Sequence, residues 1–186
     1  MRTGTQRLAA LAIVVALGFG MSGCVGGDPM PTLPPTPDST PIFASEEEAL
    51  AAAEAAYAAY SEVAGQIAND GGGQPERISP YVTARQLQNE LDTAAYYERN
   101  GYRVAGEPSV MSVVLQQYLE AAGAAEITIY VCLDVTTARV FDQSGVDVTP
   151  SNRQEVGALE VVLVGRSAAE LQVDSSELWS DSSFCR

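Results

Sequence analysis

The feature that most constrains the fold is a change of hydrophobic periodicity close to residue 100. Between residues 45 and 100 the apolar side chains recur every three or four positions, which is the helical spacing. From Val110 to Trp179 the pattern becomes an alternation rich in β-branched residues, which indicates strands. Helices followed by strands predict an α+β domain, in which N-terminal helices pack on a curved antiparallel sheet. We expect a single domain spanning residues 43–186.

Two helices are predicted in the N-terminal part of this domain. Ser45 and Glu48 form a capping box, in which the two side chains satisfy backbone N–H groups of the first helical turn. The same pattern recurs at Thr83 and Gln86, and Gly101 is typical of the residue that follows a helix. The first helix should bury a stripe made of Leu50, Ala53, Tyr57, Tyr60, Ala64 and Ile67.

A meander of antiparallel strands is predicted after the helices. Its segments are Val110–Leu119, Glu126–Val135, Arg139–Phe141, Val156–Val164 and Leu171–Trp179. In the second segment, the aliphatic residues at odd positions from Ile127 to Val135 share the face that should meet the helices. The even positions, among them Tyr130 and Asp134, fall on the opposite face. Asp142–Gly145 predicts a hairpin turn.

The first 23 residues have the layout of an export signal. Arg2 and Arg7 form a positively charged start, which an apolar stretch at Leu8–Phe19 follows. As a helix, these apolar residues would reach about 18 Å, whereas the hydrocarbon core of a membrane is about 30 Å thick. We therefore expect residues 1–23 to be a cleaved signal peptide and not a membrane span.

Cys24 directly follows the expected cleavage site. Met21–Cys24 resembles the lipobox of bacterial lipoproteins, with Met21 where Leu is usual. The resemblance implies that the Cys24 thiol receives diacylglycerol, so that acyl chains such as palmitate anchor the protein at the extracytoplasmic face of the cell membrane. An ordinary signal peptide with an incidental cysteine is the alternative. Residues 24–42, with six prolines, predict an extended tether.

The charge balance excludes one class of partner. The chain has a net charge of −14, and loss of the signal peptide with Arg2 and Arg7 would make it −16. A domain so acidic offers no basic surface to phosphates, which excludes nucleic acid as a partner. Anionic headgroups would also repel it, so Cys24 alone should contact membrane lipid.

Cys132 and Cys185 are the cysteines that remain if Cys24 is lipidated. In an oxidising compartment a disulfide is their natural pairing, and it would fasten the C-terminal residues onto a central strand. A free buried thiol at Cys132 and a catalytic cysteine are the alternatives. A catalytic cysteine usually needs a histidine to generate the thiolate, and the chain contains no histidine.

The residue types of most metal and cofactor sites are missing. The chain has no histidine, and its cysteines are too few for a zinc site. Asp142, Ser144 and Asp147 could offer oxygens to calcium, but the terminal Glu of a calcium loop is absent and a hairpin turn explains them. We therefore expect no metal and no cofactor.

Two helices leading into an antiparallel sheet form a layout that resembles the cone-shaped nuclear transport factor 2-like superfamily. Tyr130–Asp134, Asp142–Pro150 and Glu177–Cys185 are similar to segments of uncharacterised lipoproteins of high-GC Gram-positive bacteria. The superfamily resemblance implies an apolar pocket between helices and sheet, which some members use for isomerase or dehydratase chemistry with Asp, His and Tyr. The absence of histidine excludes the dehydratase type here.

Candidate side chains for such a pocket are Tyr57, Tyr60, Tyr130 and Asp134, since a carboxylate could abstract a proton among the phenols. Core and rim packing explains the tyrosines equally well, and no set of acid, base and oxyanion donor can be named. The sequence therefore predicts a non-catalytic binding or protein-interaction module that takes an envelope protein, a second copy in a homodimer, or a small apolar ligand. The alternative is a small pocket enzyme, isomerase-like or hydrolase-like, that uses Tyr and Asp groups.

Overall fold

A computed structural model of the chain describes residues 40–181 and 183–185. The predicted signal peptide, Cys24 and nearly all of the predicted tether lie outside the described residues. Two α-helices, α1 (Glu46–Asn69) and α2 (Ala84–Asn100), flank a 3₁₀ helix at Pro75–Tyr81. The strands are β1 (Arg103–Ala105), β2 (Ser109–Ala121), β3 (Ala124–Asp134), β4 (Arg139–Phe141), β5 (Val156–Gly165) and β6 (Gln172–Trp179).

Four strands form the main sheet in the order β2-β3-β5-β6, and each neighbouring pair is antiparallel. The register places Tyr130 of β3 opposite Val114 of β2 and Glu160 of β5. The short strands β1 and β4 form a separate two-stranded sheet, in which Val104 pairs with Val140. Helices that precede a curved antiparallel sheet confirm the predicted α+β class.

The predicted meander is wrong in one respect, because β4 leaves the main sheet. The chain turns directly after β3, and the Ala138 N–H donates to the Val135 carbonyl over 3.1 Å. The Arg153 guanidinium holds this turn by donating to the carbonyls of Ala138 and Val135, at 2.8 and 2.9 Å. β4 is thereby directed towards β1, and β5 takes the place beside β3.

The hydrophobic core lies between α1 and one face of the main sheet. Ile127, Ile129 and Val131 of β3 are fully buried there, which confirms that the aliphatic face of this strand meets the helices. Other members of the core include Ala49, Ala53, Ile78, Val161, Leu163 and Val173. We call the opposite face of the sheet, to which the even positions of β3 point, the outer face.

Candidate functional site

Three aromatic side chains, Tyr130, Trp179 and Phe184, meet on the outer face of the sheet, and we call them the aromatic platform. Tyr130 stacks on Trp179, with ring centroids 5.0 Å apart and an angle of 28° between the ring planes. The Phe184 ring lies 5.7 Å from Tyr130. Strand alternation puts Tyr130 on this face, and Trp179 shares the face because it is opposite Ala158, which is itself opposite Cys132. Trp179 remains 38% exposed.

The C-terminal tail brings Phe184 to the platform. A disulfide joins Cys132 to Cys185, with α-carbons 5.3 Å apart, so the bridge expected from the sequence is present. Since the two sulfurs are bonded to each other, neither is available as a free or catalytic thiol. Cys132 is fully buried. Because Phe184 directly precedes Cys185, the disulfide fixes the Phe184 ring against Tyr130.

Two carboxylates flank the platform on neighbouring strands. Glu160 of β5 is opposite Glu177 of β6, and on its other side it is opposite Tyr130. Like charges directly opposite each other destabilise a strand pair. No arginine of the described residues forms a salt bridge with either glutamate. The platform therefore has a negatively charged border that a cation would neutralise.

The phenol of Tyr130 is a neutral hydrogen-bond donor. Partial burial among its neighbours raises the pKa of Tyr130, and the charge of Glu160, to which the phenol donates, raises it further. The charge of Asp181 acts in the same direction. A tyrosine in this setting does not serve as a proton acceptor near neutral pH.

Tyr57 and Tyr60 belong to α1 and lie on the other side of the sheet, where their side chains are part of the core. The Tyr60 hydroxyl donates to Glu90 Oε1 over 2.7 Å, and the same oxygen accepts from Gln86 Nε2 at 2.7 Å. Burial, followed by the charge of Glu90, raises the pKa of Tyr60, and burial raises that of Tyr57. The structure therefore does not bring these two tyrosines together with Tyr130.

Asp134 is the last residue of β3, where it is opposite Ser109 and Val156. Its Oδ1 accepts from the Thr136 backbone N–H at 2.8 Å. Hydrogen bonds from the backbone and the side chain of Thr136 hold the pKa of Asp134 below its usual value. The lowered pKa makes this carboxylate a weaker proton acceptor, and its Oδ1 is engaged by the turn that follows β3.

Two hollows in the described part of the chain lie elsewhere than the predicted pocket. One is an open surface depression of about 560 Å³ beside Gly165, Arg166 and Gln172. The other, of about 30 Å³, lies between α1 and α2 beside Glu90 and Tyr97 and has room for about one water. The side chains of the core cluster lie between α1 and the sheet.

Among residues 40–181 and 183–185, no three acidic or cysteine side chains are grouped so that they could hold a metal ion. Asp142, one of the oxygen donors considered for calcium, is engaged by its own turn. Its Oδ1 accepts from the N–H groups of Ser144 and Val146, at 2.8 and 2.9 Å.

In the same described ranges, no helix combines the length and the apolar character needed to cross a membrane.

Tyr130 was predicted from the sequence as a candidate site residue, but the other two platform residues and the two flanking glutamates were not. Trp179 is the only tryptophan of the chain, and Phe184 stands beside a cysteine predicted to reach a central strand. Together these two facts could have indicated an aromatic cluster at that strand. The sequence does not indicate that Glu160 and Glu177 lie opposite each other, because this pairing depends on the register between β5 and β6.

These features define an α+β domain whose helices cover one sheet face, while the other face carries aromatic and acidic side chains. The crystal structure of the intermembrane space region of the chloroplast protein ARC6 is similar, with a TM-score of 0.54 and 12% identity over 71% of this chain and 97% of that chain. An identity so low shows likeness of fold alone. No family model and no curated protein sequence matches this chain.

Proposed function

We propose that this chain is an exported lipoprotein, anchored through Cys24 at the extracytoplasmic face of the cell membrane, whose domain is a non-catalytic module for binding a partner protein. The lipobox-like Met21–Cys24 and the proline-rich tether support the anchoring. The observation that carries the binding role is the aromatic platform bordered by Glu160 and Glu177, neither of which forms a salt bridge within the described part of the chain. The partner that fits it is an arginine-bearing segment of an envelope protein.

The chemistry of the platform favours arginine over other side chains. A guanidinium stacks on the exposed ring of Trp179 and is attracted to its electron-rich face. It donates several hydrogen bonds at once, so it can bind Glu160 and Glu177 while it stacks. A cation placed there also relieves the repulsion between these two glutamates. Lysine offers a charge but no planar group, so it should bind more weakly.

The anchoring is tested by the variant Cys24→Ala, followed by metabolic labelling with a fatty-acid analogue. The wild-type protein should be labelled and recovered with membranes, and the variant should lose the label and accumulate as precursor. Unlabelled wild-type protein free in the medium would contradict the lipoprotein assignment.

The binding role is tested by calorimetry of the full chain with hexa-arginine and hexa-lysine. We expect saturable binding of hexa-arginine, weaker binding of hexa-lysine, and a loss of this preference in Trp179→Ala. The matched control is Tyr96→Ala, which removes an aromatic ring that is 51% exposed on α2, away from the platform. Equal binding of both peptides to the wild type and to Trp179→Ala would reduce the interaction to non-specific attraction by an acidic chain.

A further inference from the structure

The two edges of the main sheet differ in how they are protected. Beside β6, Val82 forms a parallel bridge with Val173, and the Thr83 N–H donates to the Val173 carbonyl at 3.0 Å. Thr83 Oγ1 donates to Asp174 Oδ1 at 2.7 Å, and Arg85 pairs with the same carboxylate at 2.7 Å. The β6 edge is thus covered over part of its length and carries a salt bridge.

The outer edge of β2 lacks this protection. Among the described residues, no strand pairs with it. β2 is 13 residues long and contains a single charged residue, Glu120, which accepts from the Ile42 N–H at 2.8 Å. Sheet edges in monomeric proteins are usually short, charged, bulged or interrupted by proline, and of these devices β2 has, besides Glu120, only two register shifts, at Val110/Ser112 and Leu115/Gln117. Exposed apolar residues of β2 are Val110, Met111, Val114 and Leu119, each between 45% and 53% accessible.

We propose that this edge binds the same edge of a second copy of the chain, so that the two main sheets join into one antiparallel sheet of eight strands. A chain with a net charge of −14 repels its own copies over most of its surface. The uncharged stretch Ser109–Leu119 is the part of the sheet edge where that repulsion is least. An antiparallel pair of identical strands is closed by a two-fold axis, which limits the assembly to a dimer.

The sequence of β2 suits one register for this pairing, in which Val114 lies on the two-fold axis. Val110 of one copy is then opposite Tyr118 of the other, so that apolar side chains meet. Glu120 is opposite Pro108, and no carboxylate faces another. Proline has no N–H to donate, so the ladder ends at that point. Register shifts occur on either side of Ser112–Leu115, and Val114 lies within this regular stretch.

The dimer does not depend on the proposed binding role, but it would change the geometry of that role. Val114 is directly opposite Tyr130 on the neighbouring strand. An axis perpendicular to the sheet keeps the outer faces of both copies on the same side. Two aromatic platforms would then lie on one continuous surface, where they could bind two arginine-bearing segments of one partner.

The first test places a photo-cross-linking phenylalanine analogue at Val114 of the full chain in intact membranes. We expect a product of twice the protomer mass, joined at β2 of both copies. The matched control places the same analogue at Leu178 of β6, which is 85% exposed, and there we expect no dimer. A product with another protein, a link to residues 25–39 of the same chain, or a dimer at Leu178 alone would each overturn the proposal.

The second test examines the register of the proposed strand pairing by introducing charged residues at positions that should lie opposite each other. In the proposed pairing Ser112 of one copy is opposite Gln116 of the other. The variant with Ser112→Lys and Gln116→Lys should lose the cross-link at Val114, because like charges are opposed. The variant with Ser112→Lys and Gln116→Glu should regain it, because opposite charges then meet twice. Circular dichroism that matches the wild type shows that both variants are folded, and failure of the second variant to restore the dimer would overturn the register.

Discussion

At the scale of single residues, the hydrogen bond between Tyr60 and Glu90 joins α1 to α2 at the edge of the core. Tyr60→Phe should lower the free energy of unfolding by about 1–3 kcal/mol, since a hydrogen bond to a carboxylate is lost. Glu90 keeps the Gln86 side chain as a donor, which limits the loss. Urea unfolding measures the change, with Tyr96→Phe as the control at an exposed position. An unchanged midpoint for Tyr60→Phe would contradict this account.

The raised pKa of Tyr60 also predicts a loss of stability at alkaline pH. In the unfolded chain this phenol has an ordinary pKa of 10.0, whereas in the folded protein burial and Glu90 raise the pKa. Above about pH 10 the unfolded state therefore releases a proton that the folded state retains, and the free energy of unfolding falls as pH rises. Unfolding measured from about pH 8 to about pH 11 should show a shallower fall for Tyr60→Phe than for the wild type. Parallel plots of the free energy of unfolding against pH for the two proteins would contradict this role of Tyr60.

At the scale of elements, the capping box at the start of α1 could be predicted from the sequence, because it involves only neighbouring residues. Ser45 Oγ accepts from the Glu48 N–H at 3.2 Å, and Glu48 Oε2 accepts from the Ala44 N–H at 2.8 Å. Ser45→Ala should cost about 1 kcal/mol of stability, because an N–H of the first turn loses its partner. Thermal unfolding checks this, and Ser45→Asp, which can still cap, should stay close to the wild type.

The disulfide is an element-scale constraint on the C-terminal tail. The double variant Cys132→Ser, Cys185→Ser should lose on the order of 4 kcal/mol, since the bridge closes a loop between positions 53 apart. The helices lie on the other sheet face, so the helical circular dichroism should be kept while Phe184 leaves Tyr130. Non-reducing peptide mapping of the wild type must first show the Cys132–Cys185 peptide. A double variant as stable as the wild type would contradict the role given to the bridge.

Elements with a local signal were predictable from the sequence, and pairings set at long range were not. The caps at Ser45 and Thr83 and the alternation of β3 depend on neighbours a few residues apart. The departure of β4 depends on a bond from Arg153 to Val135, which no periodicity records. The three-residue strand β1 was not predicted, because its partner β4 lies more than thirty residues further along the chain.

At the scale of the whole molecule, the sheet divides the predicted site residues into two sets. Tyr57 and Tyr60 lie in the core with α1, whereas Tyr130 lies on the outer face with Trp179. Alternation along β3 could predict the side on which Tyr130 falls. The convergence of Trp179 and Phe184 upon it could not be read in the same way, because it depends on strand order and on the path of the tail.

The most direct test of the outer face as the binding surface uses the single tryptophan. Trp179 is the only tryptophan of the chain, so its emission reports on the aromatic platform alone. Titration of the full chain with hexa-arginine should shift this emission saturably and protect it from acrylamide quenching. The variant Glu160→Gln, Glu177→Gln should weaken the effect while leaving the rings in place. Binding detected by calorimetry with Trp179 emission and quenching unchanged would contradict the account, since the peptide would then be bound elsewhere.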